Sequence, residues 1–195
     1  MKREARRLAM LANVSPHTFQ TETHMSTPQV REAIQALATV LAEQPHKARA
    51  RNPAATAVLE DGLRFRISGP NGETASTDMP VALGGKASAP APSWLFRASL
   101  ASCTATVIAM RAAQLGLTLD TLQVSVSSES DVRGLLGTDD KVSAGLDGLR
   151  LHVRIGAAGA SPEQLREIVS WADSHSPIGC TARSAQRTAL EIEVA

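Results

Sequence analysis

Tyrosine is absent from the 195 residues, and two Trp and three Phe are the only aromatic side chains. A core must therefore be assembled from Ala, Val, Leu and Ile. Cysteine is equally scarce. Cys103 and Cys180 alone exclude the disulfide framework of a small secreted domain and a Cys-rich structural zinc site, while the five histidines show no paired ligand spacing. No metal is expected, and two unpaired thiols suit a reducing cytoplasmic compartment. Neither charge dominates: 20 Lys and Arg stand against 19 Asp and Glu, spread without a basic face, which excludes nucleic acid as a partner. The longest apolar run, around Cys103, is broken by Arg97, Arg111 and Gln114, so no membrane span is expected. The first residues start basic but carry no sustained apolar stretch, unlike a signal peptide. We expect a loose tail over residues 1–26. No spacing points to a nucleotide, flavin or other cofactor.

What remains is a single domain of ordinary size. Thr27 reads as a cap with Pro28 in the first helical turn, and Val30, Ile34, Leu37 and Leu41 recur at helical spacing, giving an amphipathic helix over 27–45. A polar linker, His46 to Pro53, leads to the main domain, 54–195. Ala55 to Ser68 predicts one or two strands with Leu63, Phe65 and Ile67 on one face, followed by a GPNGE turn. LGGKASAPAP, Leu83 to Pro92, is an approach loop. A long helix follows from Pro92 to Leu115, with Gly116 at its end, apolar over more than one stripe and so expected to be centrally buried. Leu122, Val124 and Val126 mark a strand. A polar loop, Arg133 to Gly148, precedes another with Leu149, Leu151, Val153 and Ile155 inward. Ser161 and Gln164 form a capping box for a helix ending near His175. Ser176-Pro177 opens a short helix, and Leu190, Ile192 and Val194 predict a closing strand. Strands joined mostly to neighbours argue an α+β fold.

Two readings of Cys103 stand side by side. A free cysteine in an apolar helix commonly packs as a small hydrophobe, and burial raises a thiol pKa and leaves it inert. Alternatively it is a nucleophile held ready. Cys180 falls about one turn into the short helix begun by Ser176, a fair place for thiolate character. Two such thiols could form a reversible disulfide, the chemistry of a thiol peroxidase, although spacing alone does not bring them together. His175 beside the cap reads as a polar neighbour.

LGG, APSWLFRASLASCTA and SPIGCTARSA, in this order, resemble the OsmC/Ohr family of osmotically induced and organic-hydroperoxide-resistance proteins, over roughly Ala55 to Ala195. The most specific element is Pro92 and Leu95 leading through small residues into Cys103. The resemblance implies an intertwined α+β homodimer with two central helices and active sites at the interface. It also implies a peroxidatic role for Cys103, which becomes a sulfenic acid, and a second cysteine that condenses with it to a disulfide reduced by an external dithiol. An Arg and a Glu near the first cysteine would lower its pKa.

Three positions depart from that pattern. Ser93 stands where the family has its Glu, and a hydroxyl cannot hold an Arg by a charge-assisted pair. The family's Arg position falls on Asp61, leaving Arg64 and Arg66 as candidate cations, with Arg97 and Arg133 as further ones. The family's Cys-Pro is here Ser176-Pro177, with Cys180 four residues on, displaced by about 6 Å along the same helix face. Cys180 is either a relocated resolving cysteine or a packed one. Trp94, Leu95, Phe96, Leu100 and Ser176 are the candidate substrate contacts. The expected activity is thiol-dependent reduction of organic hydroperoxides. The alternative is an OsmC-fold stress protein that holds a small hydrophobic ligand without turnover.

Overall fold

The computed structural model describes residues 25–184 and 188–194. The tail expected over 1–26 lies outside them except for Met25 and Ser26. Helix α1 (Thr27–Glu43) starts one residue earlier than the sequence suggests: Thr27 is already helical and Ser26 is the cap. Its backbone N–H donates to Gln29 Oε1 at 2.8 Å. The linker after α1 contains a single 3-10 turn at Pro45–Ala48.

Three antiparallel strands follow, β1 (Thr56–Asp61), β2 (Arg64–Ser68) and β3 (Thr74–Thr77), in that order across one sheet. The first two answer the expected strand region. Strand β3 carries only Thr, Ala and Ser and was not anticipated, because its alternation is too weak to see. The turn between β2 and β3 closes with Gly69 N–H donating to Glu73 O.

Helix α2 (Pro92–Gln114) is the spine of the molecule. Leu100, Thr104, Ile108 and Ala112 are buried along it at a spacing of four, one continuous stripe. Ile108 and Ala112 pack with Ile168 and Ala172 of α4 (Pro162–His175) to form the core. Half-buried Leu122 and Val124 of β4 (Thr121–Glu129) and Val153 and Ile155 of β5 (Asp147–Gly156) close over it. β4 and β5 form a two-stranded antiparallel sheet. Between them the polar loop is partly helical, as α3 (Val132–Leu136), capped by the Asp131 carboxylate on Arg133 N–H. The short α5 (Pro177–Arg183) is the last regular element among the described residues.

Two expectations need correction. The expected central burial of α2 holds for one stripe only: Ser99, Ser102, Thr106, Ala109 and Met110 on its other side are exposed, because none of the described residues covers them. The closing strand is not formed either. Residues 188–194 have no regular structure, and Leu190, Ile192 and Val194 lie exposed. A strand needs an edge to bond to, and the described residues of this chain offer the segment none. The sheet β1–β3 likewise shares no substantial packing with α2, β4, β5 or α4.

Candidate active site

Cys103 lies at the middle of α2, one residue before the buried stripe position Thr104, and is half-buried. α2 packs against α4 and α5 there, so the corner joining those two helices faces the sulfur. Ser176 occupies that corner. It ends α4, caps α5 and is 0% exposed. Pro177 favours this geometry because it needs no N–H in the first turn and biases the preceding residue to extended backbone.

The Ser176 hydroxyl has two partners. Its oxygen accepts the Gly179 N–H at 3.2 Å, and its hydrogen goes to Cys103 Sγ at 3.3 Å. The first bond sets the direction of the second: with a backbone N–H on the oxygen, the O–H is free to donate to sulfur. Gly179 is itself buried, and a Cβ there would press on the Ser176 side chain at 3.2 Å.

Cys180 is placed otherwise. It is exposed, its Sγ donates to Ser174 O at 3.3 Å, and the Arg183 guanidinium lies 3.9 Å away. Arg183 is in turn paired to Asp173 at 2.9 Å. The structure thus brings Ser176 to Cys103 and gives Cys180 a different set of partners. His175 contacts neither sulfur. Its Nδ1 donates to Trp171 O at 2.7 Å and its ring stacks on Trp171.

The candidate cations are engaged elsewhere. Arg64 donates to Ser88 Oγ at 2.8 Å, Glu60 Oε2 at 3.1 Å and Ser76 Oγ at 3.3 Å. Arg66 is half-exposed and pairs with Glu60 at 3.5 Å. Arg97 reaches Ser128, and Arg133 pairs with Asp131 and Asp139. Among the described residues, no arginine donates to Cys103. Ser93 is exposed at the start of α2, Trp94 and Phe96 are exposed beside it, Leu95 is half-buried, and Leu100 lies within the core. No group of His, Cys, Asp or Glu among the described residues is arranged to hold a metal ion. A cleft of about 340 Å³ lined by Arg111, Glu167 and Trp171 does not include Cys103.

Sequence reasoning missed a second polar centre. Asp78 directly follows β3, is 1% exposed, and its carboxylate accepts the N–H groups of Met79, Lys86 and Ser88 and the Ser88 hydroxyl. The Ser88 N–H and hydroxyl hold its carboxyl down at about 2. The loop 79–88 is wound around this one side chain. Asp78 thereby fixes Ser88, which receives Arg64.

The OsmC-like protein family matches residues 85–191. An OsmC-like protein from Mycoplasma pneumoniae is similar over 70% of this chain and 91% of its own, at 17% identity and a TM-score of 0.59. An OsmC-like protein of unknown function from Vibrio cholerae is similar over 69% and 96%, at 13% identity and 0.55. An organic hydroperoxide resistance protein from Elizabethkingia anophelis is similar over 70% and 91%, at 17% identity and 0.52. No curated protein matches the chain. At these identities the likenesses establish the mixed helix and antiparallel-sheet fold.

Proposed function

The chain belongs to the OsmC-like protein family, and on that premise we propose that it is a thiol-dependent peroxidase in which Cys103 reduces organic hydroperoxides. The observation that carries this reading is the buried hydroxyl of Ser176 donating to the half-buried Cys103 sulfur. A cysteine serving only as packing does not need a buried hydroxyl aimed at it. The relative from Elizabethkingia anophelis, named an organic hydroperoxide resistance protein, supports the substrate class.

The chemistry follows from the thiolate. Cys103 S⁻ attacks the outer peroxide oxygen, an S–O bond forms and the O–O bond breaks. Sulfur loses two electrons to the peroxide, and the peroxide's own proton leaves on the alcohol. An external dithiol then returns the sulfur to the thiol. Leu95, Trp94 and Phe96 carry apolar side chains in the first turn and a half of α2, on the helix that holds Cys103.

The site is completed by a second copy. Val58, Leu59, Val81, Phe96 and Met110 are exposed apolar side chains, and β1–β3 has little to pack on within its own chain. In a homodimer the partner's sheet would lie over α2 and carry its own Arg64 and Arg66 towards Cys103, supplying the missing cation. We assign the protein to the cytoplasm, where a dithiol reductant is present. No described helix is long and apolar enough to cross a membrane.

A second reading is favoured by Ser93 and by the lack of an arginine on Cys103: an OsmC-fold protein that holds a small hydrophobic ligand without turnover. Mixing the reduced protein with cumene hydroperoxide or hydrogen peroxide under dithiol recycling separates the two. The peroxidase reading expects turnover that disappears in Cys103→Ser. Turnover that survives Cys103→Ser, or wild-type rates no better than free dithiol, would sink it.

A further inference from the structure

The sulfur of Cys103 faces an alcohol and not a second thiol. We propose that Ser176 stabilises the Cys103 thiolate and, by occupying the position that faces it, makes this a one-cysteine site whose oxidised sulfur is discharged by an external small thiol without Cys180. This inference rests on the peroxidase reading above.

Two sets of contacts carry it. Ser176 is fully buried, its oxygen is held by Gly179 N–H, and its hydroxyl points at Cys103 Sγ. An O–H donated to an anionic sulfur is a charge-assisted bond, stronger than the same bond to a neutral thiol. It therefore supplies, within one chain, part of the stabilisation that no arginine gives here. Cys180, one turn along α5, has its sulfur on the Ser174 carbonyl and beside Arg183. Its backbone N–H is bound to Ser176 O at 2.8 Å. Turning its sulfur to Cys103 would require breaking the Ser174 contact.

The discharge balances without a second protein thiol. The sulfenate left on Cys103 takes a proton from solvent, an external thiol attacks its sulfur, an S–S bond forms and water leaves. A second external thiol attacks that mixed disulfide, releasing Cys103 S⁻ and a small disulfide that carries away the two electrons.

The test uses the full-length chain with Ser176→Ala, Ser176→Thr, Ser176→Cys and Cys180→Ser. Iodoacetamide alkylation of Cys103 is followed against pH by mass spectrometry in each. Ser176→Ala should raise the alkylation midpoint by about one pH unit, a tenfold loss of thiolate at any pH below both midpoints, and Ser176→Thr should restore it. With cumene hydroperoxide and glutathione as the monothiol, Cys180→Ser should turn over within about twofold of wild type. The peptide containing Cys103 should then carry glutathione, with no Cys103–Cys180 bridge. Ser176→Cys should instead give an intrachain bridge between positions 103 and 176. A bridge to Cys180 in the wild type, or lost glutathione-supported turnover in Cys180→Ser, overturns the one-cysteine assignment. An unchanged alkylation midpoint in folded Ser176→Ala overturns the role of its hydroxyl. Should the wild type consume no hydroperoxide, the peroxidase reading and the discharge step fall together, and the alkylation profile still decides the role of Ser176.

Discussion

Asp78 holds Ser88 by both of its donors, the backbone N–H at 2.9 Å and the hydroxyl at 2.8 Å. The same hydroxyl oxygen accepts from Arg64. One buried carboxylate therefore shapes the loop 79–88 and fixes where the Arg64 guanidinium sits. This links the N-terminal sheet to the loop that leads into α2, and so to the placing of a cation in the proposed site.

That linkage makes the loop acid-sensitive in a defined window. The Ser88 N–H, and next its hydroxyl, lower the Asp78 carboxyl from 3.8 to about 2. A carboxyl that titrates lower in the fold contributes in full above its unfolded value. The contribution is lost as the pH falls through the folded one. Between about pH 4 and pH 2 wild type should lose stability that Asp78→Asn never had. Above that window the variant should melt lower by about 5 °C, because an amide accepts through one oxygen where the carboxylate used two. Melting curves recorded from pH 7 to pH 2 check this. A variant that melts with wild type at pH 7 would show that the carboxylate does not hold the loop.

Gly85 is the narrowest point of the same loop. A Cβ there would overlap the Met79 carbonyl oxygen and come within 2.9 Å of Asp78 Oδ1. The obstacle is backbone, which cannot swing aside as a side chain can. Gly85→Ala should cost about 2 kcal/mol or more and release the clamp on Ser88. Gly84 is the useful control, because a Cβ there meets nothing closer than Leu63 at 3.9 Å. Its φ of 88° makes Gly84→Ala strained by conformation alone. Chemical denaturation of both variants separates collision from conformational strain. Equal costs in the two would mean the close approach at Gly85 is relieved by a small loop movement.

Local signals were legible in the sequence and contacts at a distance were not. The Ser161 and Gln164 box, Pro177 behind its cap and the alternation of β4 each act within a few residues, and the structure forms all of them. In the sequence Ser176 is a helix cap, a departure from a Cys-Pro pattern and a candidate substrate contact, and nothing marks it as the partner of Cys103. Its bond to Cys103 spans 73 residues, and no periodicity encodes that. Asp78 was passed over because a lone Asp at a strand end reads as a turn residue, and its four donors are assembled by the loop itself. The segment with Leu190, Ile192 and Val194 has the alternation of a strand, which says which side chains share a face but not which edge receives them. Among the described residues of this chain none does.

The uncovered face of α2 says where that edge and a second copy would meet. Thr106 lies exposed opposite the buried stripe, between Ser102 and Met110, and small neighbours allow another helix to approach. On an exposed helix surface Thr106→Arg should be nearly silent, within about 0.5 kcal/mol. At the centre of a helix–helix contact it places two like charges and two long side chains in one space, and the dimer should come apart. Light scattering on wild type should give twice the chain mass, and on Thr106→Arg the mass of one chain, with a lower melting temperature. Peroxide turnover should fall with the dimer, because in the proposed site the cation belongs to the partner's sheet. A Thr106→Arg protein that keeps the mass, melting point and turnover of wild type would place the second copy elsewhere. It would also leave Cys103 with Ser176 as its sole support.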